Sequence, residues 1–237
     1  SFNSGQPWNI SANGTLFKTD VQGVVPGLLE RWYSERQELQ AKKKSATTDA
    51  EKAFYDKRQL VKKIILNSLY GAILNPGCRF YDKRIGQSTT LTGRSITQHM
   101  AAETNRMLTG IYDYQGDCIV YGDTDSVYFS AVPALPEGEK LNMDSAIKLY
   151  DHISDTVSDT FPQYLKDIFN VPKDKGAVMI AGREVVGKSG LFLTKKRYAI
   201  LCLDIEGYQP EGGKLKAMGL EIKRSDTPEF IQDFLEE

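Results

Sequence analysis

The stretch VYGDTDSVYFS, residues Val120 to Ser130, places two acids one residue apart between two apolar runs. Runs rich in Val, Ile, Tyr and Phe on either side of a short polar turn are typical of a β-hairpin. Asp123 and Asp125 would share one face of a strand, because side chains alternate between faces. Carboxylates are seldom buried without a partner, so we expect both acids to point into a solvent-filled cleft.

Two convergent carboxylates suit a hard cation such as Mg²⁺, which takes oxygen ligands and keeps several waters. In two-metal sites, such ions activate an attacking oxygen and stabilise a leaving oxygen. The alternative is an ordinary turn, which the spacing alone favours, because Asp, Thr and Ser are common turn formers. A calcium loop fits poorly, because Val127 and Tyr128 stand where further oxygen ligands are needed.

Composition limits the classes of protein and site that this sequence can represent. Of its 237 residues 41% are hydrophobic, enough for a folded core, and the net charge of −1 gives no overall sign of nucleic-acid binding. Two histidines argue against a histidine-built metal site. No apolar run approaches the length of a membrane span, and no signal peptide opens the sequence. Three scattered cysteines are typical of a reduced, intracellular protein without a disulfide framework or a zinc ribbon: Cys78, Cys118 and Cys202.

Two helices joined by a few residues predict an antiparallel helical hairpin. The first covers residues 23–44, and Pro26 suits its first turn. The second begins at Thr48, which has capping-box spacing to Glu51, and it ends at the Asn-Pro-Gly stop signal of residues 75–77.

Outside the hairpin the pattern indicates mixed helix and strand. Helices are predicted over residues 88–110 and 143–169, and Pro162 is expected to break or kink the second one. A short strand is predicted at residues 78–82, and β-structure is predicted from residue 178 to 220. Turns in that β-region are expected at its glycines: Gly182, Gly187, Gly190, Gly212 and Gly213.

The segment VKKIILNSLYGAILN, residues 61–75, has two helical faces with different chemistry. One face is an apolar stripe, formed by Val61, Ile64, Ile65, Ala72 and Ile73. The other carries Lys63, Asn67, Tyr70 and Leu74 at spacings of i, i+4, i+7 and i+11. A cation, an amide and a phenol on one side suit an anionic, aromatic ligand such as a nucleoside triphosphate. The alternative is a solvated helix face.

Four strings resemble the motifs of one enzyme family, the family B DNA polymerases, and they follow one another along the chain in the family's order. YGDTDS, residues 121–126, resembles motif C, and KKIILNSLYG, residues 62–71, resembles motif B. KKRYA, residues 195–199, is similar to the motif that follows the primer–template duplex. KAMGLEIKRSDTP, residues 216–228, resembles the passage from palm to thumb. Within the family, the similarity is greatest to the replicative polymerases of T-even-type tailed phages.

The resemblance implies a site for two Mg²⁺ ions and a nucleotide. Asp125 would be the principal metal ligand with help from Asp123, and Glu184 of GREVVG would be a further acid near the metals. Lys63 would contact the triphosphate and protonate the departing pyrophosphate. Arg36 matches an arginine that grips the triphosphate. Asn67 would lie beside the nucleotide, and Tyr70 and Gly71 would pack against the nascent base pair.

Four residues after this arginine, many relatives carry a lysine, and this chain departs from them with Gln40. Lys42, Lys43 and Lys44 are candidates to substitute for it. Otherwise Arg36 and Lys63 bear more of the anion binding.

The resemblance also implies a DNA-binding surface. Tyr121, Gly122 and Thr124 would lie near the primer terminus. The basic string would contact the duplex backbone through Lys195, Lys196, Arg197 and Tyr198. In a β-strand, adjacent cations alternate between the two faces. The alternative to a DNA-binding surface is an edge strand that is protected by charge. The string LDIEG resembles an exonuclease motif. We nevertheless interpret its two acids, Asp204 and Glu206, as turn or surface residues.

The implied fold class is α+β, with a palm of antiparallel β-sheet backed by helices and an inserted antiparallel helical hairpin, the fingers. The expected domains are an upstream part of the palm at residues 1–24 and the fingers at residues 25–75. The palm with its catalytic hairpin would cover residues 76–222, and the start of the thumb would cover residues 223–237.

The family's motif A, an Asp followed by an SLYP-like run, is not found in the sequence. Together with the start at Ser1 and a last helix that stops early, this suggests an internal or split portion of a polymerase. We expect it to need a complementary chain that carries motif A and the exonuclease. The other implied partners are primer–template DNA, dNTP and a sliding clamp, with no membrane. A phage-encoded polymerase would work in the cytoplasm of the bacterial host.

Two alternatives from other classes remain at this point. A non-catalytic DNA-binding or scaffold fragment would keep the basic string without metal dependence, although it would need neither Asp125 nor Lys63. A reverse transcriptase or RNA polymerase palm would carry a different acidic turn, and NSLYG on a helix does not suit one.

Overall fold

The computed structural model describes residues 6–138, 141–221 and 227–231 and divides into two compact units. One unit contains residues 1–92 and 167–170, and the other contains residues 93–166 and 171–237. The described elements, in chain order, are β1 Trp8–Ile10, β2 Leu16–Lys18, α1 Val24–Ser45, α2 Asp49–Leu74, α3 Lys83–Thr109, β3 Ile119–Asp123, β4 Ser126–Phe129, α4 Met143–Phe169, α5 Lys173–Gly176, β5 Val185–Thr194, β6 Arg197–Ile205 and β7 Lys214–Met218. The α+β class is confirmed, and no helix in these residues is long and apolar enough to cross a membrane.

The helical hairpin of the first unit is confirmed. Its two helices run antiparallel, because Lys43 near the end of α1 pairs with Asp56 near the start of α2, at 2.6 Å. Farther along, Glu35 pairs with Lys62. The capping box is present: the Glu51 amide donates to the Thr48 hydroxyl at 3.2 Å, and the Glu51 carboxylate accepts from the Thr48 amide at 3.3 Å.

The predicted apolar stripe on α2 is only partly buried. Val61 and Ile64 are 53% and 55% exposed, and Ile73 is the buried residue of this helix. The apolar stripe is therefore largely exposed along the first half of α2. The reason is that α1 meets α2 through polar and charged side chains, and α1 contributes no buried residue.

Residues 78–82 form turns instead of the predicted strand. The Cys78 amide donates to the Asn75 carbonyl at 2.9 Å, and the Tyr81 amide donates to the Cys78 carbonyl at 3.1 Å. α3 then begins at Lys83 rather than at residue 88. Asp82 determines where α3 starts, because its carboxylate accepts a hydrogen bond from the Arg84 amide at 2.8 Å and so caps the helix.

The second unit contains two antiparallel sheets, β3–β4 and β5–β6–β7. Its main core lies on α4, where Ile153, Val157 and Phe161 are almost fully buried. Partly buried side chains of α3, among them Ile96 and Met100, pack against this core.

The break predicted at Pro162 is absent, because α4 continues through it to Phe169. A proline inside a helix costs roughly 3 kcal/mol. Phe161 and Leu165 are buried on either side of it, at 2% and 5% exposure, and this packing offsets the cost.

Gly187 and Gly190 lie inside β5 and are not the predicted turns. A Cβ at Gly187 would lie 2.6 Å from Cγ2 of Ile200, and one at Gly190 would lie 2.9 Å from the Phe192 ring. The pairing of β5 with β6 is irregular on both sides of Gly187. The glycines therefore permit close approach within a bulged strand.

His99 links α3 to α4 from a nearly buried position. Its ring stacks on Tyr164 with centroids 3.8 Å apart, and its two nitrogens lie 2.9 Å from the hydroxyls of Tyr112 and Thr160. Burial lowers the pKa of His99, whereas the nearby Glu103 opposes that shift.

The pH dependence of stability should therefore differ between the wild-type chain and His99→Gln. A histidine with a depressed folded-state pKa contributes stability above its unfolded pKa of about 6.5 and loses it as the pH falls. Between pH 7.5 and 5.5, we expect the free energy of unfolding to fall by up to about 1.4 kcal/mol more for the wild-type chain than for the variant. Urea denaturation at the two pH values measures the difference. Parallel pH profiles would contradict this expectation.

Asp204 is buried, so its interpretation as a turn or surface residue is wrong. It is 1% exposed and pairs with Arg183, which also donates to Asp151 of α4 at 2.6 Å. Glu206, in contrast, lies in an exposed turn as expected. The Arg183 guanidinium thus ties the end of β6 to α4.

Removal of this guanidinium is expected to be costly. Arg183→Met should lower the free energy of unfolding by about 3–5 kcal/mol, because it leaves the buried carboxylate of Asp204 without its cation. Urea denaturation at pH 7 measures the loss. Lys216→Met removes an exposed pair with Glu184 and should cost less than about 1 kcal/mol. Equal losses would show that burial adds nothing to the Arg183 pair.

Candidate functional site

The acidic hairpin forms as predicted, with the two acids at its tip. β3 and β4 are antiparallel, Asp123 lies opposite Ser126, and Thr124 and Asp125 make the turn. Thr124 has a φ of 55°, a left-handed conformation that is strained for a β-branched residue. The turn is held by the Thr97 hydroxyl of α3, which donates to the Thr124 carbonyl at 3.0 Å. The tip therefore has a fixed, strained geometry.

The two acids lie in different environments. The Asp123 side chain is 20% exposed, and its two oxygens lie 3.0 and 3.1 Å from the Lys196 ammonium. This hydrogen-bonded cation holds the pKa of Asp123 below its usual value, and the same contact raises the pKa of Lys196. Asp125 is exposed at the turn. Asp125 is thus the carboxylate open to a ligand, and Asp123 is anchored.

The basic string forms a turn rather than a strand with alternating faces. Lys195 and Lys196 connect β5 to β6, and Lys196 has a φ of 60°. The Lys196 amide donates to the Tyr121 hydroxyl at 2.7 Å, so the acidic hairpin holds this turn in place. Arg197 opens β6 and donates to the Glu221 carboxylate at 2.8 Å. One cation of the string, Lys196, therefore contacts one acid of the hairpin, Asp123.

An aromatic cluster joins the acidic hairpin to the three-stranded sheet. Its members are Tyr121 and Tyr128 of the hairpin with Phe192 and Tyr198 of β5 and β6, at centroid distances of 5.3 to 5.9 Å. The hydroxyls of Tyr128 and Tyr198 lie 2.9 Å apart. Burial, followed by this hydroxyl contact, raises the pKa of Tyr198 to about 12. Tyr198 therefore packs under the basic turn, and its side chain is only 3% exposed.

Sequence reasoning missed Tyr128 and Phe192 as supports of the site. The available signal was the concentration of aromatic residues in two neighbouring β-runs, because cross-strand aromatic pairs stabilise sheets.

Glu184 comes directly before β5, and it lies in the same unit as the acidic hairpin. Its exposed carboxylate pairs with Lys216 of β7 at 3.3 Å. Glu184 and Asp125 line one cavity of about 1050 Å³. Within the described residues, no three His, Cys, Asp or Glu side chains group closely enough to hold a metal ion.

The chemistry of the donors nevertheless suits Mg²⁺. Exposed carboxylate oxygens are its preferred protein ligands, and it usually keeps several waters and binds only one or two carboxylates. Asp125 offers such a carboxylate, and Asp123 is its neighbour across Thr124. These acids therefore suit a cation that keeps several waters better than a cation whose ligands all come from the protein.

The nucleotide-binding candidates lie in the other unit, on the helical hairpin. The Arg36 guanidinium donates to the Gln59 side chain at 3.2 Å. Gln59 precedes Lys63 by one helical turn, so Arg36 and Lys63 lie on the same side of the hairpin. Lys63 and Asn67 are exposed, one turn apart. This side therefore has a half-buried cation, Arg36, beside an exposed cation and an exposed amide.

The structure gives less support to the other residues that were predicted to bind the nucleotide. Tyr70 is half-buried, and a Cβ at Gly71 would meet nothing within 4 Å, so local crowding does not demand glycine there. Lys43, one candidate substitute for the missing lysine, is engaged by Asp56 at 2.6 Å. Lys42 and Lys44 are exposed in the last turn of α1.

The predicted domain bounds remain a prediction, and the start of the thumb lies mostly outside the described residues. Of residues 223–237, the structure describes 227–231.

Comparison with known proteins gives a single family. Residues 8–237 match the model of DNA polymerase family B. The chain is 30% identical over 192 residues to the DNA-directed DNA polymerase of Escherichia phage RB69, covering 76% of this chain and 21% of that protein. It is 31% identical over 195 residues to that of Enterobacteria phage T4, with coverage of 76% and 21%.

An archaeal relative covers more of the chain. The DNA polymerase of Pyrococcus glycovorans is 28% identical over 217 residues, which is 92% of this chain and 23% of that protein. The chain thus spans about a fifth of the length of the curated phage relatives that it matches. The family model covers nearly the whole chain, and the acidic hairpin and the basic turn meet in one unit. The chain therefore belongs to DNA polymerase family B.

Proposed function

We propose that this chain is the fingers and most of the palm of a DNA-directed DNA polymerase. The reaction is the template-directed transfer of dNMP from a dNTP to a primer 3′-hydroxyl, with release of pyrophosphate. One observation carries the proposal: the family's two-acid hairpin has one carboxylate exposed and the other anchored by the family's basic turn, at 3.0 Å. A scaffold fragment has no use for that arrangement.

Asp125 and Asp123, with Glu184 as a further acid, would hold the two Mg²⁺ ions. When bound, such ions neutralise the charge that develops on the attacking and leaving oxygens. The anchoring of Asp123 by Lys196 restricts its rotation, so it orients the tip and leaves the exposed carboxylate of Asp125 as the principal ligand.

The fingers residues would select and hold the dNTP. Arg36 and Lys63, on one side of the hairpin, would clamp the triphosphate through charge-assisted hydrogen bonds. The Lys63 ammonium carries a proton that the departing pyrophosphate needs, so this side chain is the candidate general acid. Asn67 would lie beside the nucleotide, and Tyr70 with Gly71 would contact the nascent base pair.

The DNA would approach the hairpin tip and the basic turn. Gly122 is exposed and Thr124 is at the tip, so both leave room for a primer terminus beside Tyr121. Lys195, Lys196 and Arg197 would contact the duplex backbone. Tyr198 would support them from beneath, since it is buried.

Motif A and the exonuclease lie outside this sequence, in which no SLYP-like run occurs. A complementary polymerase chain that supplies them is a candidate partner. A sliding clamp is a further candidate partner. With phage relatives at about 30% identity, the assembled enzyme would work in the cytoplasm of a bacterial host.

Primer extension with Mg²⁺ and dNTPs tests the proposed function. The chain is assayed alone and mixed with the part of the phage RB69 polymerase that lies upstream of the aligned region. Extension only in the mixture, and only with Mg²⁺, is the expected result. Extension by the chain alone, or DNA binding without Mg²⁺-dependent extension in any mixture, would overturn the proposal; the second outcome would leave a scaffold.

A further inference from the structure

A hydrogen-bonded network of four side chains connects α1 to α2 across the helical hairpin. The Lys43 ammonium donates to a carboxylate oxygen of Asp56 at 2.6 Å, and the Gln59 amide nitrogen donates to the same oxygen at 3.1 Å. The amide oxygen of Gln59 accepts from Nε of Arg36 at 3.2 Å. All four side chains are half-buried. We call this set the hairpin network. The proposed chemistry uses only one of its members, Arg36.

The two neighbours of Gln59 leave its amide a single orientation. An ionised carboxylate only accepts hydrogen bonds, so Asp56 must face the amide nitrogen. A guanidinium only donates, so Arg36 must face the amide oxygen. The ammonium of Lys43, followed by the Gln59 amide, lowers the pKa of Asp56, which favours its ionised, accepting form. A flip of the amide would break both contacts, and the acceptor that faces Arg36 is therefore fixed.

The contact engages only one of the three guanidinium nitrogens of Arg36. Gln59 accepts from Nε. Within the described residues, no protein group accepts from the terminal nitrogens Nη1 and Nη2. These terminal nitrogens can each donate to one oxygen of the same phosphate group, in a paired arrangement that only a guanidinium offers. The end of the side chain that suits a phosphate is thus left open.

Gln59 is also a neutral partner. Elsewhere on the hairpin a carboxylate engages a cation, as Asp56 does with Lys43, and the two charges of such a pair largely cancel at a distance. An amide has no net charge, so Gln59 orients Arg36 and leaves its positive charge intact. In the part of the chain that the structure describes, no acid pairs with Arg36.

We propose that Gln59 is a positioning residue that presents the Arg36 guanidinium to a triphosphate. Its amide oxygen holds Nε, and the terminal nitrogens donate charge-assisted hydrogen bonds to phosphate oxygens beside Lys63. Because the guanidinium is oriented before the anion arrives, less conformational entropy is lost on binding. Lys43 and Asp56 contribute indirectly, by fixing the amide. This inference rests on the proposed function, because it deepens the account of how the fingers bind the dNTP.

Binding of inorganic triphosphate to the full chain, measured by calorimetry without Mg²⁺, tests the positioning apart from catalysis. Gln59→Met keeps the length of the side chain and removes its amide, so Kd should rise about three- to tenfold. Gln59→Glu keeps an acceptor for Arg36 but cancels its charge, so Kd should rise at least about tenfold. Gln37→Met makes the same change at the exposed neighbour of Arg36 and should leave Kd within about twofold of the wild type.

The NMR signal of the Arg36 Nε–H group measures the orientation itself, and its loss in Arg36→Lys assigns it. In the wild-type chain, this proton should exchange with water at least about tenfold more slowly than in Gln59→Met, because a hydrogen bond protects it. When inorganic triphosphate is added to the wild type, the Nη signals should shift while Nε–H stays protected. Thermal unfolding midpoints of the variants show whether Gln59→Met acts locally.

Several results would overturn the inference and leave the proposed function standing. Equal triphosphate affinity of the wild type and Gln59→Met would do so, and a lowered unfolding midpoint beside that equal affinity would give Gln59 a purely structural role. Wild-type affinity in Gln59→Glu would show that a neutral partner is not needed. Equal Nε–H exchange with and without the amide would show that Gln59 does not hold Arg36. A wild-type chain that fails to bind inorganic triphosphate at millimolar concentration would overturn the nucleotide site of the proposed function together with this inference.

Discussion

Asp125→Asn should lower the primer-extension rate of the assembled polymerase by at least about 10³-fold. The substitution removes the exposed carboxylate at the hairpin tip while its amide keeps the same size. A metal ligand contributes several kcal/mol of transition-state stabilisation, and each 1.36 kcal/mol is tenfold in rate. Single-turnover extension at saturating dNTP measures the loss.

Asp123→Asn is the matched control for this substitution. It lies two residues away on the same hairpin, and both of its oxygens are held by Lys196. We expect a smaller decrease in rate, because an anchored carboxylate orients the tip more than it binds the ion. A loss at Asp123 that equals or exceeds the loss at Asp125 would reverse the assignment of the principal ligand.

Lys63→Ala should slow the chemical step of the assembled enzyme by about 10²–10⁴-fold, the usual contribution of a well-placed general acid. The side chain is exposed and lies one helical turn after Gln59 of α2, which accepts a hydrogen bond from Arg36 of α1. Single-turnover rates as a function of pH distinguish proton donation from binding. Loss of an acid changes the pH dependence of the rate, and loss of a binding cation alone raises the dNTP concentration required.

Lys62→Ala provides the control, because Lys62 is the adjacent lysine and is engaged by Glu35 of α1. It should leave the chemical rate within about threefold of the wild type, since it removes a half-buried ion pair between α1 and α2. If Lys62→Ala slows chemistry as much as Lys63→Ala, the assignment of the general acid is wrong.

Features that depend on residues close in sequence could be predicted. The capping box of Thr48 and Glu51, the stop at residues 75–77 and the acidic hairpin are all local patterns, and the structure confirms them. The N-cap at Asp82 is equally local, but a short apolar run at residues 78–82 concealed it.

Features that depend on distant residues could not be predicted. The anchoring of Asp123 requires Lys196, 73 residues away, and nothing in either segment specifies that contact. Gly187 resembles a turn residue until the position of Ile200 on the next strand is known. Asp204 resembles a surface acid until Arg183 is brought beside it. In each case, tertiary packing decides between local options of similar energy.

The anchoring of Asp123 also affects how a polyanion meets the enzyme. Two uncompensated carboxylates at the tip would repel an arriving phosphodiester backbone and slow its diffusional encounter with the protein. Because the Lys196 ammonium lies 3.0 Å from the Asp123 carboxylate, the fields of these two charges largely cancel beyond a few ångströms. Of the two acids, only Asp125 then contributes a long-range negative field, and in the proposed function this lowers the electrostatic barrier to DNA.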